Sequence, residues 1–591
     1  QEATTAVNRF NVSSNFNIHL MPWLQLDLRG GVDSYADKRV YFAPIGSASF
    51  NNGRLDNEDY TYTEINTDAI ARVDFPDLVP GKVGFNATLG FNINDRLRKN
   101  LYAATRSFLV NSDLQTFNNG VSPFEVSNNT NHIRSNRLYS ILSFDLFDQL
   151  FANISGTQEA ASTISGTYFY PSADLAWQFT QLPGLKGQFL SFGKLRMSWG
   201  QVGVQPTAYR FGTTYETFTY STYDDALDIN EFGGGFRLND DQGNPGLQPE
   251  IKTEWEVGAD LRFWKDRVNL GITYYQNEIN DILLAVSLSP SSGYLSKYAN
   301  AGSMENKGLE VDFGFKLLDN RKYGLDLYGN FNNNRNKVLD LAGVDRVPLT
   351  DQSITSNAIV GQPLGILFGS RASRNADGSL VLDDNGFPTL DPEQGVIGDP
   401  NPDWRGGLGL RGYYKNFNFN VLFETYQGGD FAERTRFVLT SFGTYETVGN
   451  EVTLTQDLVN SAGEVFTAGT TVRGNIGNYG GGDVLLDETW YTTLGGGLGG
   501  SAINEFSIND GSWTRLREVS VGYTFKGEKL RSATGLQSIE LSFIGRNLSI
   551  WTDILGIDPE VNQSGVDNGF GIEYFTNPST RSWLASIKLD F

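Results

Sequence analysis

Aromatic side chains gather in two polar stretches of the sequence, where they could contact a ligand. The stretch 209–223 reads YRFGTTYETFTYSTY, and the stretch 483–500 holds a Trp-Tyr pair ahead of a run of glycines. Exposed aromatic rings can stack on flat ligand faces such as sugar rings, and they are enriched at protein interfaces. Two alternatives are that these rings pack the loops together or lie in an interfacial aromatic belt. The candidate ligand contacts are Tyr209, Tyr215, Tyr220, Tyr223, Trp490 and Tyr491.

Other residue types give weaker chemical signals. The acidic stretches Asn375–Gly378 and Asp383–Gly386 could offer oxygen ligands to Ca²⁺, but their spacing does not match an EF-hand, so we favour Asx and Gly turns. Gly480–Asp483 (GGGD) lacks the Lys-Ser/Thr and the helix of a phosphate loop. With no cysteine, two histidines (His19 and His132) and three methionines, we expect no metal site and no cofactor. No carboxylate pair has a context that marks a general acid and a general base, so no catalytic residue is predicted.

Strands must position these candidates, because alternation with a period of two runs from end to end. Examples are WEVGADLRF (255–263), LEVDFGFKL (309–317) and FNFNVLFET (417–425). In each, one face is apolar and the other carries charged, amide, hydroxyl or glycine residues. No long window has helical periodicity. The sequence therefore predicts an all-β protein.

Short and long connections alternate along the chain. Tight turns are predicted at 21–22, 265–266, 319–322 and 415–416, and long polar connections at 33–59, 103–131, 203–250, 337–403, 428–511 and 552–580. Structureless loops this long are unusual in a compact soluble domain, whereas outer-membrane barrels combine short periplasmic turns with long extracellular loops. We therefore predict a transmembrane antiparallel β-barrel.

A soluble β-sandwich array or a propeller is the alternative fold. No period of about 40–50 residues recurs, which is the spacing of propeller repeats. The polar strand faces also carry charges, such as Glu254, Glu256 and Asp260, which would be costly to bury in a dry core. In a wide aqueous lumen the same charges cost little.

Composition narrows the class of protein further. The net charge is −22, with 68 acidic against 46 basic residues, which disfavours nucleic acid as a partner. No apolar run approaches the ~18–20 residues of a transmembrane helix. The first residues, QEATTAVNRF, lack the basic and apolar regions of a signal peptide, which we attribute to processing or truncation.

The strand count suggests an incomplete barrel. We count about seventeen strands, whereas a closed antiparallel barrel of this class needs an even number. An open edge in lipid would leave unsatisfied backbone groups. Residues 1–591 are therefore expected to be the C-terminal portion of a larger barrel. Its last segment, RSWLASIKLDF, places an apolar face toward lipid, formed by Trp583, Ala585, Ile587, Leu589 and Phe591.

An ordered series of short motifs resembles the SusC-like TonB-dependent transporters over nearly the whole chain. The series is RSNRLYSILSFDLFDQ (134–149), YFYPS (168–172), GKLRMSWGQVG (193–203), NPGLQPE (244–250), TEWE (253–256), NAGSMENKGL (300–309), VGQPLG (360–365), GDPNPDW (398–404), YKNFNFNVLFETYQGGD (414–430) and WTRLREVSVGYT (513–524). Each motif alone is weak, and their shared order is the signal. Two places depart from the family: 156–163 reads GTQEAAST instead of an Arg-Asn-Asp-Trp-like stretch, and the acidic segment before NPDW is altered.

The resemblance implies a barrel of about 22 strands, of which about five would be missing upstream together with a plug domain and a TonB-engaging segment. It implies a multi-pass protein of a Gram-negative outer membrane that imports glycans or oligopeptides. Import involves no covalent chemistry, so the resemblance also implies that the protein is not an enzyme. Implied partners are a SusD-like surface lipoprotein, TonB–ExbB–ExbD through the missing plug, and outer-membrane lipid with lipopolysaccharide. Transporter–lipoprotein pairs could form a dimer, and no nucleic acid is expected. The five C-terminal apolar residues, ending on Phe591, resemble a barrel-assembly signal. The alternative function is a plugless porin-like barrel or a structural barrel in a surface or secretion assembly.

Overall fold

The computed structural model describes residues 2–121, 124–218, 235–350, 352–497, 502–565 and 569–591. Within them, seventeen long strands form one antiparallel sheet, in which strands that follow one another in this series are hydrogen-bonded neighbours. The predicted count and fold class are confirmed. In chain order the strands are β1 Glu2–Met21, β2 Leu24–Ala43, β3 Arg54–Val79, β4 Val83–Thr105, β5 Glu125–Leu146, β6 Leu150–Ala161, β7 Thr167–Trp177, β8 Leu190–Val204, β9 Glu250–Phe263, β10 Val268–Asn280, β11 Ser303–Asp319, β12 Tyr323–Asp340, β13 Trp404–Tyr414, β14 Phe417–Gln427, β15 Trp513–Lys526, β16 Ser538–Thr552 and β17 Ser582–Asp590.

The tight turns lie where the sequence predicts them. β1 and β2 are joined across Pro22, and β13 and β14 across Lys415, whose φ is +56°. In the β9–β10 turn, Lys265 and Asp266 also have positive φ values, of 58° and 64°. These turns connect antiparallel neighbours directly, so the sequence order of the strands is also their order in the sheet.

The predicted long connection at 33–59 is mostly wrong, because strand occupies most of it. β2 continues to Ala43 and β3 begins at Arg54, with residues paired from Asp33↔Glu64 to Ala43↔Arg54. Cross-strand contacts support this polar extension: Arg9 pairs with Asp33 at 2.5 Å, and the rings of Tyr35 and Tyr62 stack at 5.2 Å. The hydrogen bonds between the strands satisfy the backbone N–H and C=O groups even where both faces of the strand are polar. The prediction of a loop failed because it rested on polarity alone. The connection predicted at 103–131 is shortened at both ends for the same reason.

The remaining connections are not structureless. Their helices are α1 Arg434–Ser441, α2 Glu488–Tyr491 and α3 Glu528–Thr534, with 3₁₀ turns at Phe117–Asn119, Phe179–Gln181, Pro290–Ser292, Glu446–Gly449 and Asn504–Ser507. Their short strands are Tyr215–Phe218, Gly235–Leu238, Asp241–Gln242, Leu283–Ser287, Ser296–Asn300, Arg346–Pro348, Thr355–Ile359, Ile366–Gly369, Gly395–Gly398, Asp430–Glu433, Glu451–Thr453, Leu458–Val459, Val465–Phe466, Thr471–Arg473, Asn475–Asn478, Asp483–Leu486, Ile508–Asp510 and Ile572–Glu573. Among the described residues, no helix is both long and apolar enough to span a membrane.

Two compact units divide the chain. Unit 1 comprises 1–181, 196–255 and 279–302, and unit 2 comprises 182–195, 256–278 and 303–591. Within unit 1, Phe42, Leu55 and Phe108 form a buried cluster where β2 ends and β3 begins. Within unit 2, buried clusters form among the long connections themselves, for example around Phe387 and Trp490. Apolar packing therefore lies partly in the connections and not only along the strands.

The two outermost strands of the series each have one strand neighbour within the described residues. β1 is bonded to β2, and β17 is bonded to β16. Since consecutive strands are antiparallel, an odd series leaves β1 and β17 running in the same direction.

Candidate ligand-binding site

Five polar and aromatic side chains lie at one level across neighbouring strands of unit 2. The register pairs Glu310 of β11 with Asn332 of β12, and Asn332 with Arg405 of β13. Arg405 is opposite Tyr426 of β14, which is opposite Trp513 of β15. Directly opposite residues of neighbouring strands point to the same face, so the register alone brings them together. We call these five residues the row.

Contacts join the members of the row. The Asn332 side-chain amide donates a hydrogen bond to Glu310 Oε1 at 3.1 Å. The Arg405 guanidinium carbon lies 4.8 Å from the centre of the Tyr426 ring. The Tyr426 and Trp513 rings stack with centroids 6.1 Å apart and planes 11° from parallel. The row therefore offers a carboxylate, an amide, a guanidinium and two stacked rings side by side.

The row lines a cavity of about 750 Å³ in unit 2. This is within the range of about 300–1,000 Å³ that small-ligand pockets occupy. The cavity lies where the strands meet the long connections, since β13 begins at Trp404 and β15 at Trp513. Gly407 lines the cavity without a side chain, and a Cβ there would come within 3.0 Å of Asn330 Oδ1. The position suits a ligand that arrives from the side of the long connections.

A β-bulge directs a second arginine toward the cavity. The pairing of β14 with β15 skips Arg517, which is therefore an extra residue in its strand. Bulges re-aim side chains and are common beside functional sites. Arg517 pairs with Glu424 at 2.6 Å and with Glu560 at 2.7 Å. Its guanidinium also lies 5.7 Å from the Trp513 ring centre, so it extends the aromatic end of the row.

The connection after β16 is fastened to β15 beside the cavity. Arg515, which is 3% exposed, pairs with Asp558 at 2.5 Å, and Pro559 and Glu560 line the cavity. Burial by itself raises the pKa of Asp558, but hydrogen bonds from Arg515 and Ser579 outweigh it and hold the pKa below its ordinary value. The ion pair between Asp558 and Arg515 thus holds this segment against β15.

Charges in the cavity differ in how far they are neutralised. Arg517 is engaged by two carboxylates, as described above. Within the described residues, Arg405 forms no ion pair, and neither do Glu310 and Asp312, which lie two residues apart on one face of β11. A positive charge at Arg405 and negative charges at Glu310 and Asp312 therefore line the cavity without a counter-ion from the residues that the structure describes.

Asp430 adds a carboxyl group whose charge is disfavoured. It lies on the cavity wall, and burial raises its pKa above the ordinary value, with repulsion from Asp399 and Asp510 acting in the same direction. The backbone N–H of Asp399 donates to Asp430 Oδ2 at 2.7 Å, which partly opposes that rise.

The aromatic candidates from the sequence fall into different environments. Tyr209 and Tyr215 are 58% and 69% exposed, so they are accessible. Tyr220 and Tyr223 lie outside the described residues. Ligand contact by Tyr209 and Tyr215 remains a prediction.

The Trp490–Tyr491 pair packs inside unit 2 and is not exposed on its surface. Trp490 is 3% exposed, and its ring lies 5.2 Å from that of Phe387 and 5.6 Å from that of Tyr479. Tyr491 is half-buried, accepts a hydrogen bond from Asn475 Nδ2 at 2.8 Å, and has a pKa raised by burial. The prediction of Trp490 as an exposed ligand contact is corrected, because the ring packs connections together, which was the alternative.

The C-terminal strand has the predicted alternation. Trp583, Ala585, Ile587 and Leu589 lie on one face of β17, opposite the residues Gly545, Phe543, Leu541 and Ile539 of β16. The rings of Trp583 and Phe543 stack with centroids 5.5 Å apart. Phe591 follows the end of β17 and is exposed. Their role as an assembly signal remains a prediction.

The two acidic stretches form turns. Asp377 Oδ1 accepts hydrogen bonds from the backbone N–H and hydroxyl of Ser379, and Asp383 Oδ1 accepts from the N–H groups of Asn385 and Phe387. These are Asx turns, the interpretation that we favoured. Among the described residues, no group of three or more His, Cys, Asp or Glu is arranged to hold a metal ion.

Sequence reasoning missed the row, although signals for it were present. Asn401 and Asp403 of the GDPNPDW motif alternate with Arg405, which follows the motif, and Trp513, Arg515 and Arg517 alternate in the WTRLREVSVGYT motif. Alternation put each set on one strand face. Which faces become neighbours depends on the register between strands that are far apart in sequence.

The sheet and the site together define a class of protein: a transmembrane antiparallel β-barrel with polar connections above a ligand-type cavity. Within that class, the chain belongs to the TonB dependent receptor-like, beta-barrel family, whose sequence profile matches residues 2–548. Membership implies the outer membrane of a Gram-negative bacterium, crossed by strands. The family consists of receptors and transporters rather than enzymes.

Curated relatives and solved structures agree with this assignment. TonB-dependent receptor P3 of Formosa agariphila is 24% identical over 539 residues, which cover 85% of this chain and 50% of that protein. TonB-dependent receptor SusC of Bacteroides thetaiotaomicron is 24% identical over 476 residues, covering 77% of this chain and 43% of that protein. The chain thus spans about half the length of these relatives. The structure of the RagAB peptide transporter matches with a TM-score of 0.75 at 18% identity, covering 100% of this chain and 62% of that chain, and this likeness concerns the fold.

Proposed function

We propose that the protein is an outer-membrane importer of the SusC type that takes up glycans or oligopeptides. The observation that carries the proposal is the cavity lined by the row at the end of the strands that meets the long connections. Import needs a site that holds a ligand without transforming it. Hydrogen-bonding groups beside stacked rings meet that need.

The proposal includes a larger barrel than the described sheet. β1 and β17 run in the same direction, and each has one strand neighbour within the described residues. A barrel in lipid cannot leave backbone groups unpaired, so further strands would lie between them. About five strands, a plug domain and a TonB-engaging segment would complete a barrel of about 22 strands.

Partners follow from the same proposal. TonB with ExbB–ExbD would supply the energy by acting on the plug. A SusD-like lipoprotein would help capture ligand above the long connections, and transporter–lipoprotein pairs could associate as dimers in a membrane that contains lipopolysaccharide. RagAB is a peptide transporter, which supports oligopeptides as one of the two ligand classes.

Uptake by living cells tests the proposal. A strain lacking the full-length gene should lose import of at least one fluorescent glycan or oligopeptide, and a strain lacking TonB should lose the same import. Restoring the gene should restore uptake only where TonB is present.

The passive alternative makes a different prediction for the same strains. A plugless pore would pass ligand whether or not TonB is present. Normal uptake of every candidate ligand by the deletion strain would overturn the import function. Purification from native membranes is the accompanying check, since an importer of this type should carry a surface lipoprotein with it.

A further inference from the structure

We propose that the row selects zwitterionic oligopeptides, gripping an acidic group at Arg405 and a basic group at Glu310 and Asp312. This inference rests on the proposed import function and names the substrate class of the same site. Three observations carry it: the unpaired charges, their separation, and the groups that lie between them.

The unpaired charges come first. Arg405 has its guanidinium against the face of Tyr426 and no carboxylate partner within the described residues. Glu310 accepts a hydrogen bond from a neutral amide, and Asp312, beside it on β11, likewise has no ion pair in the described part of the chain. A neutral glycan would leave the Arg405 guanidinium and the two carboxylates without an opposite charge in the complex. A ligand that carries both signs would satisfy both.

The neighbouring arginines show how fully this wall can neutralise a charge. Arg515 and Arg517 are engaged by Asp558, Glu424 and Glu560 at distances between 2.5 and 2.7 Å. The chain therefore supplies carboxylates to two of the three arginines grouped around the stacked rings. Arg405 has no carboxylate partner in the described part of the chain, and its guanidinium fork suits a carboxylate better than a hydroxyl group.

The separation of the charges matches a short extended peptide. Glu310 and Arg405 lie at one level on β11 and β13, with β12 between them. Neighbouring strands are about 4.8 Å apart, so the two backbone positions are about 10 Å apart. That distance is covered by about three residues of extended peptide.

The groups between the charges fit a peptide backbone. Asn332 lies between Glu310 and Arg405 in the row, and its amide can both donate and accept hydrogen bonds. Beyond Arg405, the stacked rings of Tyr426 and Trp513 offer a flat apolar surface for a side chain. A peptide with an acidic and a basic residue about three positions apart would use every part of the row.

Binding to the purified full-length protein in detergent tests the inference. The first probe is a soluble heptapeptide of Gly, Ser and Ala with one Asp and one Lys three positions apart, and its ends are acetylated and amidated so that only these two side chains are charged. The others are its Asn variant, its Gln-for-Lys variant, a neutral glucose hexasaccharide and a galacturonate oligosaccharide. We expect the Asp/Lys peptide to bind at least about tenfold more tightly than any other probe.

Variants assign each charge to its partner. Arg405→Gln should abolish the preference for Asp over Asn in the peptide, and the Glu310→Gln, Asp312→Asn double variant should abolish the preference for Lys over Gln. Arg405→Lys keeps the charge and should retain part of the Asp preference. That result would show that the loss in Arg405→Gln comes from the missing charge and not from misfolding. Arg411→Gln is the matched control: it lies on the same face of β13, pairs with Asp326 at 3.2 Å, and does not line the cavity.

Several outcomes would overturn the inference while leaving import intact. One is equal or tighter binding of the neutral hexasaccharide. Another is binding of the galacturonate that depends on Arg405 but not on Glu310 and Asp312. A third is the absence of peptide binding while cells still show TonB-dependent uptake. Loss of the import function itself would appear only in the uptake assay with the deletion strain, so the two failures can be told apart.

Discussion

Two tryptophan–tyrosine pairs in unit 2 share a composition and differ in their surroundings. Trp490, with Tyr491 beside it, is enclosed by Phe387 and Tyr479 among the long connections. Trp513 stacks on Tyr426, has two guanidinium groups over its ring, and lines a cavity. The first pair holds polypeptide together, and the second presents a surface. Aromatic density in the sequence does not separate these roles, whereas the position relative to a strand and its neighbours does.

Removing the enclosed ring should have the largest effect. Trp490→Ala should destabilise the packed connections of unit 2 by about 3–5 kcal/mol, because a large buried side chain leaves a cavity. Hydrogen exchange should increase in 475–494 while the strands of the sheet stay protected. Phe442→Ala is the control, since Phe442 is exposed at the end of α1 and its removal should change little. Unchanged protection in both variants would mean that the Trp490 cluster does not hold these connections.

Breaking the buried ion pair beside Trp513 should destabilise the protein by a comparable amount, and a second substitution should recover part of that stability. Arg515→Gln leaves Asp558 without its main partner, and such losses cost about 3–5 kcal/mol. The double variant Arg515→Gln, Asp558→Asn should recover part of the loss, because no uncompensated charge remains. Urea unfolding of the purified protein measures both. If the double variant is as unstable as the single one, the pair acts through packing and not through charge.

The two faces of β17 give the next contrast. Ile587→Asp should reduce the outer-membrane yield more than Ser586→Asp, because Ile587 shares its face with Leu541 and Phe543. Arg or Lys on the lipid face of a barrel costs about 2–4 kcal/mol at mid-depth, and Asp costs less. Heat-modifiable folded protein in membrane fractions measures the yield. Equal yields would contradict the assignment of the lipid-facing side.

The smallest expected effect concerns Asp430. Its pKa is raised chiefly by burial, so its neutral form favours folding, and that stability is lost as pH rises through the folded pKa. Asp430→Asn removes the titration, so the variant should gain protection of 430–433 relative to the wild type at pH 7 and lose that advantage near pH 4. Hydrogen exchange at both pH values, corrected for its intrinsic rate, measures the difference. An advantage that does not depend on pH would show that the carboxyl charge is not its cause.

The sequence was most informative about individual strands and least about what lies between them. Alternation located the strands, and it predicted the faces of β17 residue by residue. It underestimated β2 and β3, because their ends are polar on both faces and the ladder is what holds them. It could not assemble the row, because Glu310, Arg405 and Trp513 lie far apart in the sequence and become neighbours only through the register of the strands. Nor could it distinguish Trp490 from Trp513, because burial within a connection has no periodic signature.

The central claim, that the row is where an imported ligand is held, is tested most directly by a cryo-EM structure of the full-length protein with the Asp/Lys heptapeptide. We predict density along the row, with the peptide carboxylate at Arg405 and its ammonium group at Glu310 and Asp312. Density confined to the surroundings of Tyr209 and Tyr215, with the row empty, would contradict the claim.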